Sequence, residues 1–388
     1  MTVEGILVSV GTENEQTEAQ TVVVFGSYAP SLITFRGPLI REIAARGHRV
    51  FAVAPGISDE IREQVRALGA TAVELELGRG SLNPLRALAT ARRFRALLRK
   101  LRPDTVIAYT ISPIVLGAAA AKQAGVKRFV ALVTGLGYAF TGGREPKRLL
   151  SFAMGKLMYR RAFKRAHVAV FQNPDDRKEF GRLGLLPPRL PTAIVNGSGI
   201  DLAQFPQADL PHEPSFLMIA RFLKDKGVRE YGEAAMRLKR EHPDVSFRLV
   251  GWPDSSPDVM GAEELERIAQ GGVEMLGKLE DVRPAIAACS VYVLPSYREG
   301  TPRSVLEAMA MGRAIVTTDA PGCRETVVEG ENGFLVPPRD AGALYQAMKR
   351  LVEQPELIAP MGSKSREIAE ARYDVHKVNS ELLRHAGL

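Results

Sequence analysis

Short apolar runs alternate with longer amphipathic segments along the chain. The apolar runs are bounded by glycine or polar residues, as is typical of buried strands, and they lie at residues 21–25, 50–53, 72–75, 105–108, 129–132, 168–171 and 193–195. The segments between them, such as 33–46, carry apolar residues at helical spacing. Strands that alternate with helices predict a parallel sheet covered by helices on both faces.

A second series of the same kind follows a proline-rich break. Turn residues at 196–201, followed by Pro206, Pro211 and Pro214, interrupt the pattern, so we interpret residues 199–214 as a linker. Predicted strands resume at residues 215–219, 247–251, 273–279, 291–294, 314–317 and 332–336. The chain is therefore predicted to be an α/β protein with Rossmann-like domains at residues 21–198 and 215–372. Its last segment, 373–388, is a helix that we expect to return to the first domain.

The length of 388 residues is sufficient for two domains with full cores. No apolar run approaches the roughly 20 residues that a membrane span needs. Residues 1–20 hold four glutamates and no basic residue, which is unlike a signal peptide, and we expect a flexible extension there. Cys289 and Cys323 are the two cysteines, and so few indicate a reducing, cytoplasmic location without a disulfide.

One stretch of the second series combines the features of an anion site. The predicted strand 291–294 leads through a polar turn into a helix that should begin at Pro302. The N–H groups of Gly300, Thr301 and Arg303 would then point outward at the positive end of the helix, where a phosphate group can bind.

Two glutamates, Glu299 and Glu307, flank this helix start. Taken singly, each is typical of a solvated surface residue. As a pattern, residues 299–307 resemble the glutamate-x7-glutamate motif of glycosyltransferase family 4. That family consists of retaining enzymes of the GT-B type, in which two Rossmann-like domains face a cleft and the second domain binds the sugar-nucleotide donor. The resemblance implies that Glu307 binds the ribose hydroxyls and that Glu299 binds the transferred sugar.

The same resemblance implies further donor contacts. Arg221 and Lys226 follow strand 215–219 and match the family's diphosphate-binding arginine and lysine, which would stabilise the charge on the departing diphosphate. Because the sequence has no Asp-x-Asp element, we expect no catalytic metal and no cofactor besides the donor substrate. Other implied donor contacts lie in loops that equally suit simple turns, and these are Gly26, Ser27, Gly251, Lys278 and Leu279.

A glycine-rich loop occupies residues 133–143, after strand 129–132. Its amides would bind the diphosphate of an acceptor, although a flexible connection is the alternative. The candidate acceptor-binding residues are Thr134, Gly135, Gly137 and Tyr138. Together with residues 109–113 and 171–176, the loop resembles the branch of the family that contains the N-acetylgalactosaminyltransferases extending undecaprenyl-diphosphate-linked bacillosamine.

The sequence departs from this resemblance at two places. Many relatives have a histidine in the region of residues 133–137, whereas all six histidines of this chain lie elsewhere. Branch members often have a lysine where Ser112 stands. A scheme that needs an imidazole beside the reacting carbon, or a lysine contact with the acceptor phosphate, is therefore in doubt.

The charge is divided unevenly between the two halves of the chain. Residues 1–200 hold 29 Lys and Arg against 15 Asp and Glu, and the remainder holds 23 against 29. Two predicted helices of the first half, 85–102 and 146–166, combine many cations and apolar residues with no acid. This composition is typical of amphipathic helices on anionic membrane surfaces, and ordinary sheet-covering helices with solvated arginines are the alternative.

Taken together, these features favour a cytoplasmic glycosyltransferase on the inner face of the cell membrane. It would transfer a hexose or an N-acetylhexosamine from a UDP-sugar to a polyprenyl-diphosphate-linked saccharide. One alternative is a nucleotide-sugar 2-epimerase of the same fold, in which the basic helices would have no purpose. Another is a nucleic-acid-binding protein, which the pI of 9.5 suggests but an aromatic content of only 6% disfavours.

Overall fold

The computed structural model describes residues 18–77, 84–135, 146–253 and 258–388. Strands and helices alternate through the first half. The helices are Pro30–Thr34 (α1), Gly37–Ala45 (α2), Asp59–Ala67 (α3), Pro84–Leu101 (α4), Ile111–Ala124 (α5), Pro146–Phe163 (α6) and Pro174–Arg182 (α7). The strands are Thr21–Phe25 (β1), Arg49–Ala54 (β2), Ala70–Glu74 (β3), Thr105–Tyr109 (β4), Arg128–Val133 (β5), Val168–Phe171 (β6) and Thr192–Ile194 (β7).

These strands form one parallel sheet in the order β3-β2-β1-β4-β5-β6-β7. Its central strands are buried on both faces because helices cover the two sides. Val22 and Val24 of β1 belong to the core beneath α1, α2 and α3, whereas Val23 and Phe25 belong to the core beneath α4 to α7.

The second half repeats this plan with a six-stranded parallel sheet in the order β10-β9-β8-β11-β12-β13. The strands are Ser215–Ile219 (β8), Ser246–Val250 (β9), Val273–Gly277 (β10), Val291–Leu294 (β11), Ala314–Thr318 (β12) and Gly333–Val336 (β13). The helices are Val228–Glu241 (α8), Ala262–Gln270 (α9), Arg283–Ala287 (α10), Arg303–Ala310 (α11), Ala341–Glu353 (α12), Ile358–Ile368 (α13) and Val375–Ala386 (α14).

Every strand lies within two residues of its predicted bounds, but the helix predicted at 33–46 is wrong. The structure has two helices there, α1 and α2, separated at Phe35 and Arg36. Pro38 has no N–H to donate to the carbonyl of Thr34, so the turn that would join the two helices cannot close.

The C-terminal helix crosses back to the first domain, as predicted. A π-helical turn, Ala369–Tyr373, continues α13 and is joined to the linker by a hydrogen bond from the Ile200 N–H to the Tyr373 carbonyl (2.8 Å). Helix α14 then buries Val378, Leu382 and Leu383 in the core of the first domain. Over the residues that the structure describes, no helix is long and apolar enough to cross a bilayer.

Candidate active site

A cavity of about 790 Å³ lies between the two sheets. The first domain contributes Ser27 and Thr110, which follow β1 and β4. The second domain contributes Arg221 and Lys226, which follow β8, and Glu299, which follows β11. Ligands of open α/β sheets bind at the carboxyl ends of the strands, and both sheets turn these ends toward the cavity.

The loop at residues 295–302 connects β11 to α11 and forms one wall of this cavity. Pro302 takes the N-cap position with φ −75° and ψ 107°, so the helix begins at Arg303, one residue later than predicted. The N–H groups of Gly300, Thr301 and Arg303 make no hydrogen bond within the described residues. They therefore lie at the positive end of α11 as donors for an anion.

Glycine is required at position 300 because the two domains meet there. A Cβ atom on Gly300 would lie 2.3 Å from the carbonyl oxygen of Thr134 in the first domain. Glycine is also required at position 227, since its φ is +74° and a Cβ atom there would lie 2.1 Å from the Pro295 carbonyl oxygen. The two glycines therefore allow the 295–302 loop to pack against Thr134 on one side and against the turn that carries Lys226 on the other.

Lys226 and Glu299 form an ion pair in the cavity wall. The Lys226 Nζ lies 2.7 Å from the Glu299 Oε1, and the two side chains are 16% and 17% exposed. Burial disfavours the ammonium form of Lys226, but the charge and hydrogen bond of Glu299 outweigh burial and raise the Lys226 pKa. Arg221 lines the same cavity and opposes this rise. The cations and the carboxylate predicted from the sequence thus share one site.

Glu307 lies one helical turn beyond the start of α11 and pairs with Arg303. The Arg303 Nε donates to the Glu307 Oε1 over 2.8 Å, and Glu307 is 9% exposed. Burial raises the Glu307 pKa, and the charge of Arg303 offsets part of this effect. Both side chains line the cavity, so Glu307 presents a buried acceptor for hydroxyl groups there.

Some of the predicted contacts lie behind the cavity wall rather than in it. Gly26 gives room to Tyr109, whose hydroxyl would lie 2.2 Å from a Cβ atom at position 26. Gly251 likewise gives room to the carbonyl of Ala220, and the Lys278 ammonium lies over the ring of Trp252. Gly135 is also outside the lining, whereas the predicted residues Ser27, Leu279, Thr134, Gly300, Thr301, Arg303 and Glu307 are within it. Gly137 and Tyr138 lie outside the described residues.

The sequence analysis missed a set of interdomain contacts at the 295–302 loop. The Asn173 side chain caps α7 and also donates to the Gly300 carbonyl over 2.8 Å. Burial raises the pKa of Asp176, which is fully buried, and its pairing with Arg298 offsets part of this effect. The Thr301 hydroxyl also donates to the Gln172 carbonyl, and outside the loop Arg324 pairs with Asp175.

The sequence analysis also missed two residues that line the cavity, Phe35 and Arg36, because it placed them within the helix predicted at 33–46. The break between α1 and α2 places both residues in the cavity lining, and the Arg303 guanidinium of the second domain lies 5.6 Å from the centre of the Phe35 ring. The signal that could have found them is the Gly37-Pro38 pair, which favours a helix start over a helix interior.

The two cysteines are buried thiols that form no disulfide. Within the described ranges, no group of three or more His, Cys, Asp or Glu side chains is placed to hold a metal ion.

Comparison with known proteins places both halves of the chain in glycosyltransferase families. Residues 34–197 match the family described as Glycosyl transferase 4-like domain. Residues 213–354 match the family described as Glycosyl transferases group 1.

A curated relative covers nearly the whole chain. It is the N,N'-diacetylbacillosaminyl-diphospho-undecaprenol alpha-1,3-N-acetylgalactosaminyltransferase of Campylobacter jejuni, 31% identical over 91% of this chain and 95% of its own. Among solved structures, sucrose-phosphate synthase from Thermosynechococcus elongatus matches with a TM-score of 0.77 and 20% identity over 94% of this chain and 98% of its own. HepE from Anabaena in complex with UDP matches with a TM-score of 0.74 and 18% identity over 94% of this chain and 99% of its own. The chain therefore belongs to the group 1 glycosyltransferases with the GT-B fold and is a hexosyltransferase.

Proposed function

We propose that this enzyme transfers a hexose or an N-acetylhexosamine from a UDP-sugar to a polyprenyl-diphosphate-linked saccharide. The observation that carries the proposal is the convergence of Lys226, Glu299 and Glu307 on one cavity at the start of α11. The name of the C. jejuni relative describes transfer to a diphospho-undecaprenol saccharide, and HepE binds UDP in its structure. Both findings support these classes of acceptor and donor.

In this proposal the donor diphosphate lies at the N-terminus of α11. When the bond from the anomeric carbon to the diphosphate breaks, its electron pair stays on the diphosphate oxygen. Arg221 and Lys226 stabilise that charge as it forms, together with the N–H groups of Gly300 and Thr301. We propose that these groups act in place of a divalent metal ion.

The proposed reaction retains the anomeric configuration. The acceptor hydroxyl attacks the anomeric carbon from the face that the diphosphate leaves, and its proton passes to the leaving diphosphate oxygen. Glu299 orients the transferred sugar and offsets the positive charge that develops on the ring. No step requires an imidazole, which agrees with the absence of histidine from residues 133–137.

Glu307 is expected to act mainly on donor binding. Glu307→Ala should raise the donor KM about tenfold and leave kcat nearly unchanged, because a ribose contact forms equally in the ground state and the transition state. Steady-state kinetics with varied UDP-sugar would measure this. The control is Glu263→Ala, at an exposed glutamate on α9. A fall in kcat at an unchanged KM would contradict the assignment.

The transfer itself can be tested with the purified full-length chain. It would be incubated with single UDP-sugars and a polyprenyl-diphosphate-linked saccharide, and the lipid product analysed by mass spectrometry and by NMR of the new linkage. We expect the mass of one hexose or N-acetylhexosamine to be added with retained configuration. Conversion of the sugar without a lipid acceptor would instead support the epimerase. Thermal stabilisation by an oligonucleotide but not by UDP would support nucleic-acid binding.

We also propose that the first domain binds an anionic membrane through the surface formed by α4 and α6. Leu88 of α4 is 48% exposed, and Leu157 and Met158 of α6 are 49% and 37% exposed. The prediction that helix α6 is amphipathic is wrong over residues 152–163. Apolar side chains lie on both sides of it there, since Tyr159 and Phe163 enter the core while Leu157 and Met158 face outward. Exposed cations accompany these apolar side chains, namely Arg92, Arg99, Lys100, Arg160 and Lys164.

Neutralising two cations of α6 together with Lys164, which directly follows the helix, should weaken membrane binding strongly. Each basic residue near an anionic surface contributes about 1 kcal/mol, so the triple variant Lys156→Gln, Arg160→Gln, Lys164→Gln should bind about 100-fold more weakly. Co-sedimentation with vesicles that contain about a third phosphatidylglycerol would measure this. The matched control neutralises three exposed cations elsewhere in the same domain, Arg177, Lys178 and Arg189. Equal losses in the two variants would contradict a specific membrane surface.

A further inference from the structure

Arg36 is a buried cation that lines the interdomain cavity. It stands between α1 and α2, and its side chain is only 3% exposed. Its Nε is buried without a hydrogen-bond partner, and no carboxylate among the described residues pairs with its guanidinium. A charge that is buried and unpaired in this way is strongly unfavourable unless a ligand supplies the missing partner.

The neighbours of Arg36 do not neutralise it. The guanidinium lies 5.1 Å from the centre of the Tyr109 ring, and the Tyr109 hydroxyl hydrogen-bonds the Ser31 hydroxyl over 2.8 Å. Burial raises the Tyr109 pKa, so this residue stays a neutral phenol. The Arg36 pKa is lowered to about 10, chiefly by burial; Tyr109 acts in the opposite direction, and the charge of Arg303 contributes to the lowering. Arg36 and Arg303, two cations from different domains, both line the cavity.

Hydroxyl groups line the same part of the first domain. Thr110 follows Tyr109 directly and has φ +67° and ψ 166°, a conformation that only glycine adopts without strain. Its hydroxyl lies 2.9 Å from the Ser27 hydroxyl, and both residues line the cavity. The strained backbone therefore holds a pair of hydroxyl groups in the cavity that Arg36 also lines.

We propose that Arg36 binds a phosphate group of a substrate in the cavity that Arg303 also lines, in addition to the cations Arg221 and Lys226. A phosphate group carries several oxygens and can accept hydrogen bonds from two guanidinium groups at once. This inference rests on the proposed function, in which both the donor nucleotide and the lipid acceptor carry a diphosphate. Either diphosphate supplies the required chemistry, and the experiment distinguishes the two.

The test compares Arg36→Met with Arg41→Met, a matched change at an exposed arginine on α2. UDP affinity is measured by calorimetry, and the KM of the lipid-diphosphate acceptor is measured at saturating donor. Arg36→Met should weaken one of the two by about tenfold or more, and Arg41→Met neither. A loss of UDP affinity identifies the donor diphosphate, and a raised acceptor KM identifies the lipid diphosphate.

A structural role for Arg36 would give a different result. Removal of an unpaired buried charge should leave the melting temperature of the ligand-free protein unchanged or higher, because Met fills the space without needing a partner. A lower melting temperature with UDP affinity and acceptor KM both unchanged would overturn the inference. Thermal shifts with inorganic diphosphate give a readout independent of transfer. The wild-type protein could transfer no sugar and still be stabilised by inorganic diphosphate. If that stabilisation is lost in Arg36→Met, the proposed function fails and the anion subsite stands.

Discussion

Lys226→Ala is expected to lower kcat by about 10²- to 10³-fold while weakening UDP binding far less. Lys226 is held in the cavity wall by its 2.7 Å ion pair with Glu299, so its charge is in place before the reaction begins. The charge on the diphosphate is greatest when the bond to the sugar breaks, and the loss therefore falls on the chemical step. Single-turnover rates and calorimetric titration with UDP would separate the two quantities.

The matched control is Lys224→Ala, two residues earlier in the same turn. Lys224 is exposed and does not line the cavity, so kcat should change by less than about twofold, as is usual for surface substitutions. An unchanged kcat in Lys226→Ala, or an equal fall in both variants, would refute the role assigned to Lys226.

Glu299→Gln is expected to lower kcat/KM for the UDP-sugar by about 100-fold and to leave UDP affinity nearly unchanged. UDP lacks the sugar that Glu299 is proposed to bind, which is why the two measurements should diverge. The substitution also acts on Lys226, because Glu299 raises the Lys226 pKa against the effect of burial. Without that carboxylate the Lys226 pKa should fall, so the ammonium form and the activity should be lost at a lower pH. A pH profile of kcat would show its alkaline limb moved to lower pH.

The double variant Lys226→Ala, Glu299→Gln provides the control for this coupling. Because the two side chains are in direct contact, their effects should be strongly non-additive. If the alkaline limb stays in place and the effects add, Glu299 does not act through Lys226. If UDP affinity falls in parallel with kcat/KM, Glu299 contacts the nucleotide rather than the sugar.

The sequence predicted both sheets because a parallel strand buried on two faces leaves a short apolar run between polar turns. β1, β6, β8 and β11 have the predicted bounds without any shift. The 295–302 loop was predicted for the same reason, since strand, turn and helix start are all local features. Glu299 and Glu307 were predicted from local pattern and family resemblance together, and both line the cavity.

Contacts between distant parts of the chain could not be predicted in this way. Asp175 and Asp176 both lie in the first turn of α7. Their partners, Arg324 and Arg298, are 149 and 122 residues away, and no local pattern records such pairing. Arg36 was missed because the apolar spacing of 33–46 outweighed the Gly37-Pro38 signal.

The contacts of α7 with the 295–302 loop have a thermodynamic consequence. Asn173 and Asp176 belong to the first domain, yet they fix the backbone of Gly300 and the side chain of Arg298. Separating the domains would release the segment whose amides are proposed to bind the nucleotide. A nucleotide that requires this segment in its ordered form must therefore favour the joined arrangement, by as much free energy as its affinities for the two arrangements differ.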